Sequence, residues 1–267
     1  DTGDYRVIPG SGAGWSFMGF AGAVYLNYFH DDPVMNEIFN DKRFRIALSH
    51  GMDRDEINQL LFKGLGVPAQ FSARENTPWY VEELATRYTE YDPDRANEIL
   101  DEMGLEWDRN KEWRLRPDGQ PLSWIINTHI GLEPKAYGEA TASILKKQWA
   151  ELGIDVTVKP FSGELWNTRL PAGDWEMICH MAQPGNPGWP PIQRPELFFT
   201  YLTWPTAPEW ARWFMTNGDE GVEPPADAKE IMDIRDRVMG EPDTDKRNEM
   251  VTEAFRIASR NQWIVGT

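Results

Sequence analysis

Hydrophobic and polar positions repeat with two different periods through the middle of the chain, and the two periods alternate. Three segments alternate apolar and polar residues with period two, as half-buried strands do, and two segments repeat apolar residues at helical spacing. The predicted strands cover 122–128, 154–160 and 175–181, and the predicted helices cover 135–152 and 163–170. The resulting order β-α-β-α-β predicts the fold class α/β, with a mixed sheet flanked by helices.

The flanking regions are predicted to be mostly helical, with one strand near each end. We expect a loop over 1–22, a strand over 23–29 and two consecutive helices over 40–64. Two further helices are expected over 77–88 and 91–104, and a hairpin over 107–122. Three helices and a short last strand are expected over 207–217, 225–239, 244–260 and 263–266. The C-terminal part of the chain is therefore predicted to be helical.

Four charged residues lie where the two consecutive N-terminal helices meet: Arg43, Arg45, Asp53 and Arg54. Asp53 and Glu56 have the spacing of a reciprocal capping box, so Asp53 is expected to begin the second helix. Either Arg45 or Arg54 is expected to pair with Asp53 at this joint. The cluster is therefore predicted to fix the corner between the helices rather than to bind a ligand.

Composition and charge exclude several classes of protein. Apolar residues make up 40% of the 267 residues, enough for a folded core, and the net charge of −16 disfavours nucleic acid and anionic membrane surfaces as partners. The single cysteine, Cys179, excludes an internal disulfide and a Cys-based zinc site. No apolar run approaches the ~20 residues that span a bilayer. The chain has no initiator Met and no signal peptide, which predicts a processed protein or an excised piece.

Residues with catalytic potential do not combine into an active site. Cys179 and His180 are neighbours on a predicted strand, so their side chains point to opposite faces, and a buried Cys beside a half-exposed His is the preferred interpretation. Ser143 and Lys146 match a Ser-x-x-Lys pattern but lie inside a helix without partner motifs. The four histidines show no metal-ligand spacing. The sequence therefore predicts no enzyme activity, no cofactor and no metal site.

Four motifs are spaced along the chain between about residues 24 and 182. They read NDKRFRIALSHGMDRDEINQLLFKGLGVPAQ from residue 40, YDPDRANEILDEMGL from 91, RLRPDGQPLSWIINT from 114 and ATASILKKQWAELGIDVTVKP from 140. Together they closely resemble the signature segments of family 5 extracellular solute-binding proteins, the oligopeptide, dipeptide and nickel-binding group that feeds ABC importers. Gly51 departs from the Ala that the family usually has. The long form of the first two motifs resembles the large-ligand subgroup, which includes oligosaccharide binders.

The resemblance implies a periplasmic-binding-protein-like lobe of type II, and it makes this chain the second of two lobes. In such proteins the solute binds between two lobes, and hinge strands connect the lobes. The hinge strands correspond here to 23–29 and 263–266. The first lobe would lie outside this chain and would be a partner, together with the membrane permease of an ABC transporter. The resemblance also implies a periplasmic or otherwise extracytoplasmic protein of a bacterium, and it leaves a lipid anchor open.

The candidate ligand-binding residues lie mainly in and around the loop after the third central strand. Peptide-binding members of the family have an acidic residue here for the peptide's α-amino group, whereas this chain has the neutral run QPGNPGW at 183–189. Gln183 and Asn186 suit hydroxyl groups, since amides both donate and accept hydrogen bonds. Trp189 and Trp166 are candidates for stacking on sugar rings, with packing in the core as the alternative. Further polar candidates are Arg169, Asn127 and His129.

The solute is predicted to be an oligosaccharide or an oligopeptide. The neutral loop favours the oligosaccharide, and so does the count of 13 Trp, which suggests a surface that stacks on flat groups. A different class of function also stays open. In that alternative the chain is a Trp-rich domain that binds another protein and takes no small-molecule ligand.

Overall fold

The computed structural model describes residues 21–73, 75–130, 138–182 and 207–267. The strands in these ranges are β1 (Ala21–Leu26), β2 (Ser123–His129), β3 (Asp155–Phe161), β4 (Met177–Ala182) and β5 (Ile264–Gly266). The helices are α1 (Pro33–Asn40), α2 (Lys42–His50), α3 (Arg54–Phe62), α4 (Glu82–Thr86), α5 (Pro93–Glu102), α6 (Glu139–Ala150), α7 (Gly163–Arg169), α8 (Pro208–Met215), α9 (Ala226–Gly240) and α10 (Thr244–Asn261).

The strands form one mixed sheet with the order β3-β2-β4-β1-β5. The central strands β2, β3 and β4 are parallel, and β1 runs antiparallel to both of its neighbours, β4 and β5. Asn127 lies opposite Lys159 in the β2–β3 register, and Ala23 lies opposite Gly266 in the β1–β5 register. The predicted mixed sheet is therefore confirmed, and the strands near the two ends of the chain lie side by side.

Helices cover both faces of the sheet, because each strand sends alternate side chains to opposite sides. Trp124 of β2 and Cys179 of β4 belong to a large core that also contains side chains of α1, α2, α3, α5, α6, α8, α9 and α10. Ile178 of β4 and Phe161 of β3 point the other way and form a smaller core with Trp166 of α7. The second face carries the residues that matter for the candidate site.

Several helices begin at an aspartate whose carboxylate accepts hydrogen bonds from first-turn N–H groups, as favourable N-caps do. These caps are Asp32, Asp41, Asp53, Asp92 and Asp243. Asp53 accepts from the backbone N–H of Glu56 at 2.8 Å, as predicted. The reciprocal bond is made by another residue: the backbone N–H of Asp53 donates to Gln148 Oε1 at 3.1 Å, and Gln148 Nε2 donates to Glu56 Oε2 at 2.7 Å. Helix α6 thus completes the cap of α3.

The prediction that Arg45 or Arg54 pairs with Asp53 is wrong. Arg45 is buried and donates to the carbonyl oxygens of Phe39, Asn261 and Gln262 at 2.6, 3.0 and 2.9 Å. These oxygens lie at the C-terminal ends of α1 and α10, where unpaired helix carbonyls carry partial negative charge. A guanidinium group therefore finds its acceptors at helix ends in the core rather than at an exposed cap.

Arg54 is also buried, and every acceptor around it is neutral. Its guanidinium donates to the carbonyl oxygens of Ser49, Thr89 and Gly266 and to Ser49 Oγ, at distances from 2.7 to 3.2 Å. Desolvation lowers the pKa of Arg54 to about 9, so it stays charged at neutral pH. Arg45 and Arg54 therefore do fix the helix corner, because their hydrogen bonds join it to residues 261, 262 and 266.

Three local features differ from the prediction. The helix expected over 77–88 is limited to α4, which Val81 precedes without a side-chain cap. Helix α1 was not predicted; it begins with Asp32 as cap and Pro33 at its first position. The 107–122 hairpin is reduced to two isolated bridges, Trp107 with Arg114 and Leu115 with Pro121.

The tryptophans are mostly core residues in the part of the chain that the structure describes. Buried Trp side chains there are Trp79, Trp124, Trp149, Trp166, Trp175, Trp210 and Trp263. Partly buried ones are Trp107, Trp113 and Trp213. Seven of these ten therefore belong to the core and do not contribute to the stacking surface that the Trp count suggested. The remaining three, Trp15, Trp189 and Trp204, lie outside the described residues.

Candidate functional site

The candidate site lies at one edge of the sheet. Because β2, β3 and β4 are parallel, their carboxyl ends meet at the same edge, and such edges are where open α/β sheets usually bind ligands. Strand β1 is antiparallel to β4, and its first residue, Ala21, is paired with the last residue of β4, Ala182. Strand β5 also ends on this side, since Gly266 lies opposite Ala23.

Two predicted polar residues stand at the end of β2, on the face of the smaller core. Asn127 is buried, and its Nδ2 donates to the carbonyl oxygen of Lys159 on β3 at 3.1 Å. His129 follows two residues later on the same face and is partly exposed, and its Nδ1 is buried with no hydrogen-bond partner among the described residues. The Nδ2 group of Asn127 is thus used within the sheet, whereas Nδ1 of His129 is available for a further hydrogen bond.

Trp166 lies between two imidazole rings. Its ring centroid is 5.1 Å from that of His129 in an edge-on arrangement, and 5.0 Å from that of His180, which stacks on it at 30°. The Trp166 side chain is only 7% exposed and packs with Phe161 and Ile178. Trp166 therefore belongs to the smaller core and contacts both histidine rings.

His180 was missed as a site residue by the sequence reasoning, which expected it to be half-exposed. It is 5% exposed and its ring lies 6.5 Å from that of His129, centroid to centroid. The signal was present in the alternation of β4, since Ile178 and His180 must share a face. The neighbouring Cys179 points into the large core on the other face, as predicted, and burial raises the pKa of its thiol to about 12.

Arg169 is less closely tied to this group. Its Nε lies 3.4 Å from Asp174 Oδ2, and its guanidinium lies 5.4 Å above the ring of Phe161. The side chain is partly exposed, so this ion pair is screened by water. The structure therefore brings Asn127, His129 and Trp166 together and leaves Arg169 at the margin.

The remaining predicted ligand residues, Gln183, Asn186 and Trp189, lie outside the described residues. What the structure does place is their point of attachment. The run begins directly after Ala182, the last residue of β4, on the same edge as His129.

Within 21–73, 75–130, 138–182 and 207–267, no three His, Cys, Asp or Glu side chains come together in a way that could hold a metal ion. None of the helices in these ranges is both long and apolar enough to cross a bilayer.

The mixed sheet with helices on both faces has the same fold as solved periplasmic binding proteins. The chain superimposes on a solved oligopeptide-binding protein OppA with a TM-score of 0.83, at 34% identity over 93% of this chain and 40% of that one. It also matches the fold of the periplasmic binding protein MelB of Agrobacterium fabrum C58, solved in complex with stachyose, with a TM-score of 0.69 at 14% identity over 92% of this chain and 37% of that one.

The chain belongs to the bacterial extracellular solute-binding proteins, family 5 Middle, whose model matches residues 2–200. The family resemblance seen in the four motifs is thus confirmed, and it is a family of binding proteins rather than enzymes. Among curated relatives, the oligopeptide-binding protein OppA of Lactococcus lactis subsp. cremoris (strain SK11) is 28% identical over 172 residues, which are 58% of this chain and 27% of that protein. The chain thus spans about a quarter of the length of this relative.

Proposed function

We propose that this chain forms one wall of the solute cleft in the substrate-binding component of a bacterial ABC importer. The observation that carries the proposal is the common edge of β2, β3 and β4, where His129 and His180 lie together and where β4 ends at Ala182, the residue before the 183–189 run, in a chain of this family. The second wall would be the other lobe of the same protein. A membrane permease would receive the solute, and the protein would act outside the cytoplasm, in the periplasm or at the cell surface.

We further propose that β1 and β5 are the strands that lead to the other lobe. Their pairing, with Ala23 opposite Gly266, brings the beginning and the end of the described sheet together at the candidate site. Two adjacent strands at a cleft can bend together, which is how a pair of lobes closes on a solute.

The solute class that we favour is a neutral oligosaccharide. The support is the run Gln183 to Trp189, which offers amides and an aromatic ring and no carboxylate for a peptide's ammonium group. Burying an ammonium group without a partner is costly, so the absence of a carboxylate in this run disfavours peptides. MelB, which was solved with stachyose, is a sugar-bound example of the same fold.

An oligopeptide is the second candidate. The specific observation in its favour is that the solved structure at 34% identity and the Lactococcus relative at 28% identity are both named as oligopeptide-binding proteins. The tryptophan count does not decide between the candidates, because the described Trp side chains are core residues or partly buried.

Calorimetric titration of the full-length protein with neutral oligosaccharides and with oligopeptides tests the proposal. We expect binding of an oligosaccharide, weakened about tenfold to a hundredfold by Trp189→Ala, since stacking of one aromatic ring is worth roughly 1–3 kcal/mol. Trp113→Ala, in the partly buried hairpin, is the matched control and should leave affinity unchanged. Peptide binding without any response to sugars would reverse the solute preference, and binding of neither class would reject the function.

A further inference from the structure

The segment of residues 63–67, here named the Leu65 loop, presents two apolar side chains to solvent. Leu65 is 68% exposed and Val67 is 86% exposed. Single exposed apolar residues are ordinary on protein surfaces, but neighbouring ones on a rigid support are typical of contact sites. What distinguishes this loop is how firmly the surrounding backbone is held.

Hydrogen bonds from Asn58 of α3 hold the Leu65 loop against this helix. The side-chain amide of Asn58 donates to the carbonyl oxygen of Gly66 at 3.1 Å and accepts from the N–H of Gly66 at 2.8 Å. The N–H of Gly64, at φ 73°, donates to the backbone carbonyl of Asn58, and the N–H of Leu65 donates to that of Phe62 at 3.0 Å. A loop that is already ordered loses little entropy when a partner binds.

The Leu65 loop also lies close to the end of β5. Gly266 packs so tightly on the backbone of Ala69 and Gln70 that a Cβ there would lie under 3.0 Å from it. Val67 is two residues before Ala69, and two residues span at most about 7 Å. The Cα of Val67 is therefore no more than about 7 Å from that of Ala69, the residue whose backbone Gly266 contacts.

We propose that the Leu65 loop is a docking site for the other lobe of the same protein, which buries Leu65 and Val67 beside the connecting strands. The inference rests on the proposed two-lobe function. The relatives supply the occupant, because the chain accounts for 27% of the Lactococcus protein and 40% of the solved OppA chain. The position next to Gly266 favours this lobe over a permease or a second copy, since a connected lobe is held close to the loop whatever the protein concentration.

Thiol labelling of the full-length protein tests the inference. Val67→Cys is introduced with any other accessible cysteines replaced by Ser, and its reaction rate is compared with that of the same variant in denaturant. Cys179 gives no background in the folded protein, because its thiol is fully buried, and its reaction in denaturant is subtracted with the parent protein. We expect labelling of the folded protein to be slower by about tenfold or more, since the loop would be uncovered in less than about a tenth of the molecules. Met239→Cys, 68% exposed on α9, calibrates the rate of an uncovered thiol.

A slowing of less than about tenfold at Val67→Cys would overturn the inference. Protection that grows with protein concentration would also overturn it in favour of a second copy, and protection that needs permease-containing membranes would do so in favour of the permease. Solute titrations of the same sample separate the two proposals. Solute binding with an unprotected Val67→Cys rejects the lobe contact alone, whereas protection without binding of any solute rejects the proposed function alone.

Discussion

The guanidinium group of Arg54 donates two hydrogen bonds to the carbonyl oxygen of Gly266, from Nε at 3.1 Å and from Nη2 at 2.8 Å. The N–H of Gly266 donates in turn to Gln70 Oε1 at 3.1 Å. Strand β5 is at the edge of the sheet. The N–H and carbonyl of Gly266 therefore bond to side chains, whereas the same groups of an inner strand would bond to a neighbouring strand. Side chains thus take the place of a sixth strand along β5 and cover an edge that would otherwise be open.

Arg54→Met should therefore destabilise the protein strongly. The substitution keeps the apolar stem but leaves the carbonyl oxygen of Gly266 buried without a donor and removes the bonds to Ser49, at a cost of about 3 kcal/mol. Urea unfolding followed by tryptophan fluorescence measures the effect. Arg43→Met is the matched control: this arginine makes a half-exposed ion pair with Asp41, and its loss should change stability by less than about 0.5 kcal/mol. Equal unfolding midpoints for the two variants would contradict the assignment.

Gly266→Ala should also be destabilising, because the added methyl group would run into the backbone of Ala69 and Gln70 rather than into a side chain that can move. We expect a loss of about 1–3 kcal/mol from this overpacking, measured as a lowered thermal midpoint. Gly240→Ala, at the end of α9, has no atom within 4 Å of its new methyl group and should be neutral or slightly stabilising. An unchanged midpoint for Gly266→Ala would show that β5 is not held as tightly as described.

Gln148→Ala should destabilise α3, although Gln148 is 92 residues away from Glu56 in the chain. The substitution leaves the N–H of Asp53 without its acceptor and removes the bond to Glu56, which should cost about 1–3 kcal/mol. Lys147→Ala, the exposed neighbour on α6, controls for changes in helix propensity. Denaturant unfolding of the two variants checks the difference, and a Gln148→Ala protein as stable as Lys147→Ala would refute the shared cap.

Tyr28 should make stability depend on alkaline pH. Burial raises the pKa of Tyr28 to about 12, despite the opposing charge of Arg45, and its hydroxyl donates to the carbonyl oxygen of Trp263 at 2.6 Å. The unfolded chain loses this proton near pH 10 and the folded protein only near pH 12. The stabilisation is therefore complete below pH 10 and is lost as pH rises from 10 to 12.

Tyr28→Phe tests this pH dependence. The variant should be less stable by about 1 kcal/mol at neutral pH, because the hydrogen bond to Trp263 is lost, and its stability should fall less steeply above pH 10. Urea midpoints of the parent and the variant, measured between pH 8 and pH 11, show how steeply the stability of each falls with pH. If the urea midpoints of the parent and the variant fell equally with pH, the loss of stability above pH 10 would be due to groups other than Tyr28.

Local pattern was sufficient for much of the architecture. Period-two alternation located each end of β2, β3 and β4 to within two residues, and the helical pattern over 91–104 located α5. These signals work because hydrogen bonding and capping in one element depend on residues within a few positions of each other. The opposite orientations of Cys179 and His180 follow from the same local rule.

Interactions between distant residues were not accessible in this way. Arg54 and Gly266 are 212 positions apart, and Arg45 and Gln262 are 217 apart, so nothing near the arginines marks carbonyl groups at the far end of the chain as their acceptors. The same holds for the ten described tryptophans, since the number of aromatic rings does not say which faces the fold covers.

The sequence by itself therefore determined the order of the central strands and helices, the cap at Asp53 and, through its motifs, the family. Only the tertiary structure decided that Trp166 contacts both His129 and His180, and that Arg45 and Arg54 donate to carbonyl oxygens of residues 261, 262 and 266. The physical reason is range. Secondary structure follows from neighbours along the chain, whereas burial and the choice of hydrogen-bond acceptor depend on which distant segments the packed core brings into contact.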